Sequence, residues 1–507
     1  MKKHLLLITL MIIPHLFFAQ KQDITNTITQ IEKEGIENSK VMDILSSLTN
    51  IYSPRLSGSK AYFKGAKWVE KELTALGCKV QLEPYNFPAK GWEANEFSVV
   101  LTSPRFENII SHPVAWSGST KGKITDTPIV VDVFNLKALK RLKGKLKGRI
   151  LLHKKIEDRL PDLETKLSKK ELDSVIKGVP DSKSLEVNKN FISQMLKSNP
   201  FKDDKLEGIL AYLKKEKVGA VLLPSVWDNH ILEISSTSFQ NIKNTFSVPF
   251  LFISKESAIK LKYLIQKNIQ PKISVSSKTT FYNNKDYNVN ILADIEGTDP
   301  KLKDEIILVG AHFDTWHGSG NASDNNAGVA TIMEAFRILK KLGLKPKRTI
   351  RAGFWGGEEQ IFYGSLSYLK KHIINASIND YKPEQSKTSL YLNIDSGGGA
   401  IRSFFTQGNK KVQEIILPWI TPFKKWDLEY ISSFPSDGSD HMVFDAANIP
   451  SIDAYQDPSL YWSHQHHTNI DEVALIKEEP MKRNAVIMAA FIYRAAMMDK
   501  KFPRRTN

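Results

Sequence analysis

Four apolar runs in this chain are each followed by acids or imidazoles. Ile306 to Gly310 leads to His312 and Asp314 and then, before a helical stretch, to Asp324. Thr349 to Phe354 leads to Glu358 and Glu359, Ser389 to Ile394 leads to Asp395, and Ser451 to Tyr455 leads to a loop with His464, His466 and His467. Singly, each has an ordinary explanation. His-x-Asp reads as a buried imidazole paired with a carboxylate, adjacent glutamates read as a solvated loop, and Asp395 before Gly397, Gly398 and Gly399 reads as a turn. Together they ask for another, because acids converging on one place repel one another unless a cation neutralises them. Two divalent ions answer that requirement. Two Zn²⁺ bring four positive charges and three ligating carboxylates return three, and the excess acidifies water and polarises a carbonyl. Such a centre performs hydrolysis. It needs one carboxylate shared between ions about 3.5–4 Å apart and another held off them as general base. Glu358 and Glu359 can divide those roles, since consecutive side chains of an extended segment point opposite ways. The mixed His and carboxylate set suits zinc and also admits other divalent metals.

These residues can meet only if the runs that carry them are neighbouring strands. From Asn288 onward the pattern is regular: a strand at Val289 to Ile295, a turn at Gly297 to Pro300, and a continuously apolar strand at Ile306 to Gly310. A helix near Val329 to Leu342, a strand at Thr349 to Phe354, a helix near Ser365 to His372, and a strand at Ser389 to Ile394 follow. A strand near Ser451 to Tyr455 and a helix from about Glu479 to Met498 close the chain. This alternation predicts an α/β fold with a mixed, largely parallel central sheet and helices on both faces. In such sheets ligands bind beyond the carboxyl ends of the strands, where all four groups of acids and imidazoles lie. Upstream, Ile24 to Ser47 and Ala61 to Leu76 carry helical periodicity. Between them and the sheet, short apolar strands at Ile129 to Val133, Arg149 to His153, Ala220 to Pro224 and Pro249 to Ile253 suggest a separate β-rich module.

Length and composition leave room for this and exclude much else. At 507 residues, 41% hydrophobic and 25% charged, the chain fits neither a disordered nor a collagen-like protein. Its one cysteine, Cys78, excludes an intrachain disulfide and a Cys-rich zinc module. The net charge of +16 is uneven: residues 137–217 hold 22 Lys and Arg against 12 Asp and Glu. That basic stretch has only Phe191, Phe201 and Tyr212 as stacking platforms, so it reads as a solvated helical face rather than a nucleic-acid groove. At the start, Lys2 and Lys3 precede an apolar run from Leu5 to Phe18 and the small residue Ala19, the pattern of a cleaved export signal over residues 1–19. Interrupted by Pro14, that run falls short of the roughly 20 residues that span a bilayer, and no stable membrane insertion is expected. The expected location is secreted or periplasmic.

Several stretches resemble a known family, the di-zinc aminopeptidases that include glutamate carboxypeptidase, in its carboxypeptidase Q-like branch. They are Gly310-Ala-His-Phe-Asp-Thr315, Ser323-Asp-Asn-Asn-Ala-Gly328, Trp355-Gly-Gly-Glu-Glu359, Asn393-Ile-Asp395, Ser439-Asp-His441 and His467-Thr-Asn-Ile-Asp471, in the family's order. Pro54-Arg-Leu-Ser-Gly-Ser59 resembles the segment before the family's first catalytic-domain helix. The resemblance implies that His312 and Asp395 bind one zinc, that Glu359 and His467 bind the other, and that Asp324 bridges them. It makes Glu358 the general base and Asp314 the acceptor of the free imidazole N–H of His312, as metal-bound histidines require. His464 and His466 are then rim residues. It also implies a zinc exopeptidase fold with an inserted protease-associated domain. The division is 20–96 for the N-terminal helical part, 97–284 for the insert with its Lys-rich helical stretch from about 154 to 201, and 285–507 for the catalytic domain.

The chain departs from the family in two places. Asn325 stands where several members have a second Asp after the bridging one, and Gly438 stands where bacterial relatives place an oxyanion-stabilising Tyr, leaving His441 or a backbone amide for that task. Trp316 and the Gly438-Ser439-Asp440 run resemble the carboxypeptidase Q branch, which points to dipeptides. The expected activity is removal of N-terminal residues from peptides, or cleavage of dipeptides. The alternatives are a glutaminyl cyclase-like acyltransferase and a non-catalytic peptide-binding protein on the same fold.

Overall fold

The computed structural model describes residues 24–156, 184–197, 204–235 and 248–505. The expected export signal at 1–19 and most of the Lys-rich stretch lie outside the described residues. Seven strands form the central sheet in the order Lys79–Pro84, Val289–Ile295, Thr349–Trp355, Ile306–His312, Thr388–Ile394, Ser451–Gln456, Ile401–Phe405. The four strands from Thr349–Trp355 to Ser451–Gln456 run parallel to one another, and the outer ones are antiparallel. The parallel strands are the four apolar runs of the sequence, so all four groups of acids and imidazoles leave the sheet at one edge.

Alternation along the strands builds both faces. Ile307, Val309 and Ala311 join the core under the helices Ala327–Lys341 and Glu478–Met497, together with Val41–Asn50 and Lys60–Ala75. Leu308 points the other way, into a cluster with Trp355, Tyr391 and Phe444. Gly310 is required on that second face: a Cβ there would stand 2.3 Å from the Tyr391 hydroxyl and 2.5 Å from the Trp355 indole nitrogen. Without it, the Trp355 indole donates to the Tyr391 hydroxyl at 2.9 Å directly over the strand that carries His312.

Between residues 91 and 282 the chain builds two further sheets. Gly91–Ser103 and Lys272–Tyr282 pair antiparallel as the centre of a four-stranded sheet. The apolar strands read from sequence occupy Ile129–Val131, Ile150–His153, Ala220–Pro224 and Phe250–Ile253, parallel neighbours in a five-stranded sheet. A shared apolar cluster joins this part to the central sheet: Trp92 and Trp116 pack with Tyr85, Phe87 and Trp316.

A buried histidine sits at that junction. His317 donates from Nε2 to the Pro113 carbonyl at 2.7 Å, and its Nδ1 has no hydrogen-bond partner. Its ring meets Trp92 edge-on at 5.1 Å and His112 at 4.8 Å. Burial, then the neighbouring His112, pushes its pKa down to about 3. The unfolded imidazole titrates near 6.5, so the contribution of His317 to stability is fully present above that pH and is lost as pH falls from about 6.5 toward about 3. We expect a loss approaching about 1.4 kcal/mol per pH unit below pH 6 from this one group. His317→Gln, which keeps a donor for Pro113 and cannot charge, should flatten the decline of Tm between pH 7.5 and 5. An unchanged acid slope in the variant would refute the assignment.

Candidate metal centre

His312 ends its strand with its ring fully buried. Nδ1 lies 2.9 Å from the backbone carbonyl of Asp314. A carbonyl only accepts, so Nδ1 carries the proton, and Nε2 faces Asp324 Oδ1 at 3.0 Å and Asp395 Oδ1 at 3.2 Å. In the neutral ring that nitrogen presents a lone pair to two carboxylates. The arrangement is repulsive unless the ring takes a second proton or a cation occupies the space between them. Burial alone would lower the pKa of His312; Asp395 first, then hydrogen bonds accepted by Asp314, Asp324 and Asp395, outweigh it and raise it well above 6.5.

Asp324 stands in the turn between Asn321 and Ala327, and its two oxygens serve two imidazoles. Oδ1 faces His312, and Oδ2 lies 3.3 Å from His467 Nε2. His467 also meets Glu359 Oε2 at 2.9 Å. The turn is clamped by Asp471, whose carboxylate accepts the backbone N–H of Ser323 at 2.8 Å and of Asp324 at 3.1 Å. Burial pushes the Asp471 carboxyl up to about 7. Asn325 supplies what a second Asp could not: its amide donates to the Ile394 carbonyl at 3.0 Å, tying the turn to the strand that delivers Asp395. Gly328 permits this contact, because a Cβ there would lie 2.2 Å from Asn325 Oδ1.

Asp314 is also buried, but its carboxylate acts differently from the sequence expectation. It lies 3.7 Å from His312 Nδ1, which is closer to the Asp314 carbonyl. The carboxylate instead accepts the backbone N–H groups of Glu358 at 3.1 Å and Glu359 at 3.3 Å, and the Ser57 hydroxyl at 3.1 Å. One residue therefore orients the imidazole through its backbone and the paired glutamates through its side chain. Arg55, from the Pro54 to Ser59 segment, braces the same loop by donating from Nε to the Phe313 carbonyl at 2.8 Å.

The structure brings together the expected ligands and base, His312, Asp324, Glu358, Glu359, Asp395 and His467, around one cavity. His312, Asp324 and Glu359 form one group of converging ligand atoms, and His312, Glu358 and Asp395 form another. Glu359 Oε1 is buried with no hydrogen-bond partner. Burial pushes the Glu359 carboxyl up to about 7, with His467 opposing and Asp324 adding to the rise. Burial likewise raises Glu358, and Asp395, Asp440 and Glu359 reinforce the shift against His312. An orphaned carboxylate oxygen, two imidazole nitrogens shared by acids, and oxygens that cannot all ionise without a counter-charge form a donor set that fits two divalent cations.

The other histidines divide. His466 reaches the cluster rather than the rim: its ring stacks on His467 at 3.7 Å, and Nε2 lies 3.8 Å from Asp324 Oδ2. His464 turns to the Ser463 hydroxyl at 2.8 Å. His441, an expected oxyanion donor, is buried with Nε2 against the Ser436 carbonyl at 3.1 Å and does not line the cavity of about 580 Å³ that His312, Glu358 and Asp395 open onto. Sequence reasoning passed over Tyr461, which lines that cavity and whose phenol is held protonated by burial and by Asp324, Asp395 and Glu359. The aromatic run Tyr461-Trp462 just before the histidines was its available signal.

Residues 290–492 match the family described as Peptidase family M28. This stretch is similar to the M28 peptidases. The chain is 24% identical over 485 residues to human carboxypeptidase Q, covering 95% of this chain and 90% of that protein. It is 29% identical over 166 residues to leupeptin-inactivating enzyme 1 of Streptomyces exfoliatus, covering 32% of this chain and 34% of that protein. Its fold is that of an M28 peptidase precursor from Shewanella amazonensis, with a TM-score of 0.66 and 20% identity, covering 96% of this chain and 100% of that one. A zinc aminopeptidase from Bacillus subtilis aligns with a TM-score of 0.55 and 19% identity over 91% and 96% of the two chains. The chain is a metallo-exopeptidase of the hydrolase class, carboxypeptidase Q-like, and its mixed imidazole and carboxylate set is a zinc set with places for two ions.

Proposed function

We propose that this chain is an exported di-zinc exopeptidase that removes N-terminal residues from peptides or splits dipeptides. The observation that carries the proposal is the placement of Asp324, one carboxylate oxygen toward each of two imidazoles, one at a strand end and one on a loop. In this reading His312 and Asp395 hold one ion, Glu359 and His467 hold the other, and Asp324 is shared. Bound zinc supplies Lewis acidity at the scissile carbonyl and lowers the pKa of water. Glu358 accepts the proton of the attacking water and returns it to the leaving amine. Asp314 holds the Glu358 and Glu359 backbone so that one side chain can serve as base and the other as ligand.

Export is proposed on the charged and apolar start of the chain. Among the described residues no helix is long and apolar enough to cross a membrane. We also propose the division into a helical part at 20–96, a protease-associated-like insert at 97–284 and a catalytic domain at 285–507, supported by the separate sheets built between 91 and 282.

The test is hydrolysis of a free dipeptide, its N-acetyl counterpart and an aminoacyl amide, each with and without a chelator. We expect cleavage that requires a free amine and stops on chelation, and the ratio of dipeptide to amide turnover separates dipeptidase from aminopeptidase. Silence on all three with zinc bound would overturn the proposal. Ammonia release from an N-terminal Gln peptide would then identify a cyclase.

A further inference from the structure

The Lys-rich stretch contributes one described helix, Ser184–Lys197, and it lies against the catalytic sheet's second core rather than in solvent. Ile192 is fully buried in the cluster that holds Trp355, Phe362 and Phe444, with Met195 and Leu196 packed at its margin. A polar lock fixes the helix in register. Asn188, buried, donates to Asp445 Oδ2 at 2.9 Å, and the other oxygen of Asp445 accepts from Arg505. Asp445 belongs to the helix His441–Ala446, which begins two residues after Ser439 on the cavity wall.

This docking places Phe191 at the mouth of the chemistry. Its ring meets Phe362 edge-on at 6.4 Å, and both line the cavity of about 580 Å³ that also contains His312, Glu358 and Asp395. Phe191, Ile361 and Phe362 thus form an apolar wall beside the carboxylates. Charged groups of the helix, such as Glu186 and Lys189, lie on a different groove. An apolar wall beside a charged reaction centre favours a substrate side chain that gains by leaving water.

We infer that the helix Ser184–Lys197 is a wall of the substrate pocket, and that Phe191 is a specificity-determining residue favouring peptides with a bulky apolar side chain beside the scissile bond. The inference rests on the peptidase reading above. It gives the inserted stretch a role in choosing substrate, with Asn188 as the residue that positions it.

The experiment compares kcat/KM of the full chain for Ala-Ala, Leu-Ala and Ala-Leu, which places the bulky group on either side of the bond. Phe191→Ala should lower kcat/KM about 10-fold or more for one of the two leucine dipeptides, chiefly through KM, and less than about 2-fold for Ala-Ala. Phe191→Leu, which keeps apolar volume, should restore most of that selectivity. Asn188→Ala should reproduce the selective loss by releasing the helix. Equal losses on all three substrates, or no loss on any, would overturn the inference. A wild-type chain that cleaves none of them would instead overturn the peptidase reading on which it rests.

Discussion

Glu358→Gln should lower turnover by about 10²–10⁴-fold while leaving two zinc ions bound. The amide has nearly the same shape as the carboxylate, so the packing of the loop after Thr349–Trp355 survives. The backbone N–H of Glu358 also keeps its acceptor in the Asp314 carboxylate. What disappears is the capacity to take a proton from water and deliver it to the leaving amine, a loss of about 3–5 kcal/mol in transition-state stabilisation. Two measurements decide the matter, kcat and metal content on the same preparation. Activity above a few per cent would remove Glu358 from the role of base. Loss of zinc together with activity would make it a ligand, which matters because its carboxylate converges with His312 and Asp395 as closely as Glu359 does with His312 and Asp324.

Asp324→Ala should empty both metal positions, whereas His467→Ala should empty one. Asp324 directs one carboxylate oxygen toward each imidazole, and removing it withdraws a ligand from each ion and exposes their charges to each other. Loss of a partner that only supports a ligand typically costs about 10–100-fold in metal affinity. Loss of the shared ligand itself should exceed that at both positions. The turn should keep its shape, since Asp471 grips the backbone N–H groups of residues 323 and 324 rather than the side chain. Metal analysis after dialysis, with a Tm measured in chelator as a check on the fold, gives the answer. Two zinc ions retained in Asp324→Ala would show that the carboxylate is not shared.

The sheet was legible because its strands are buried on both faces. Ile306–His312 and Thr388–Ile394 are nearly continuous apolar runs, and between them the helix Ala327–Lys341 keeps helical period. Such segments state their structure locally. The outer strand Ile401–Phe405 and the long pair Gly91–Ser103 with Lys272–Tyr282 were not read. The middle of Gly91–Ser103 is solvent-facing and polar, and its partner lies far away in sequence.

The site divides in the same way. Sequence by itself determined which acids and imidazoles stand just beyond the strand ends, because a parallel strand delivers its last residues to one edge whatever the loops do. His312, Asp324, Glu358, Glu359 and Asp395 follow from that rule together with the family resemblance. Tertiary structure alone decided which atom meets which. The Asp314 carbonyl accepts the His312 Nδ1–H, its carboxylate accepts the glutamate amides, His466 came in from the rim, and His441 turned away to Ser436. It also brought Phe191 from a Lys-rich insertion to the edge of the cavity. Hydrogen bonds and ring contacts depend on ångström-scale positions of loops that many distant residues fix jointly, whereas strand ends depend only on a local period.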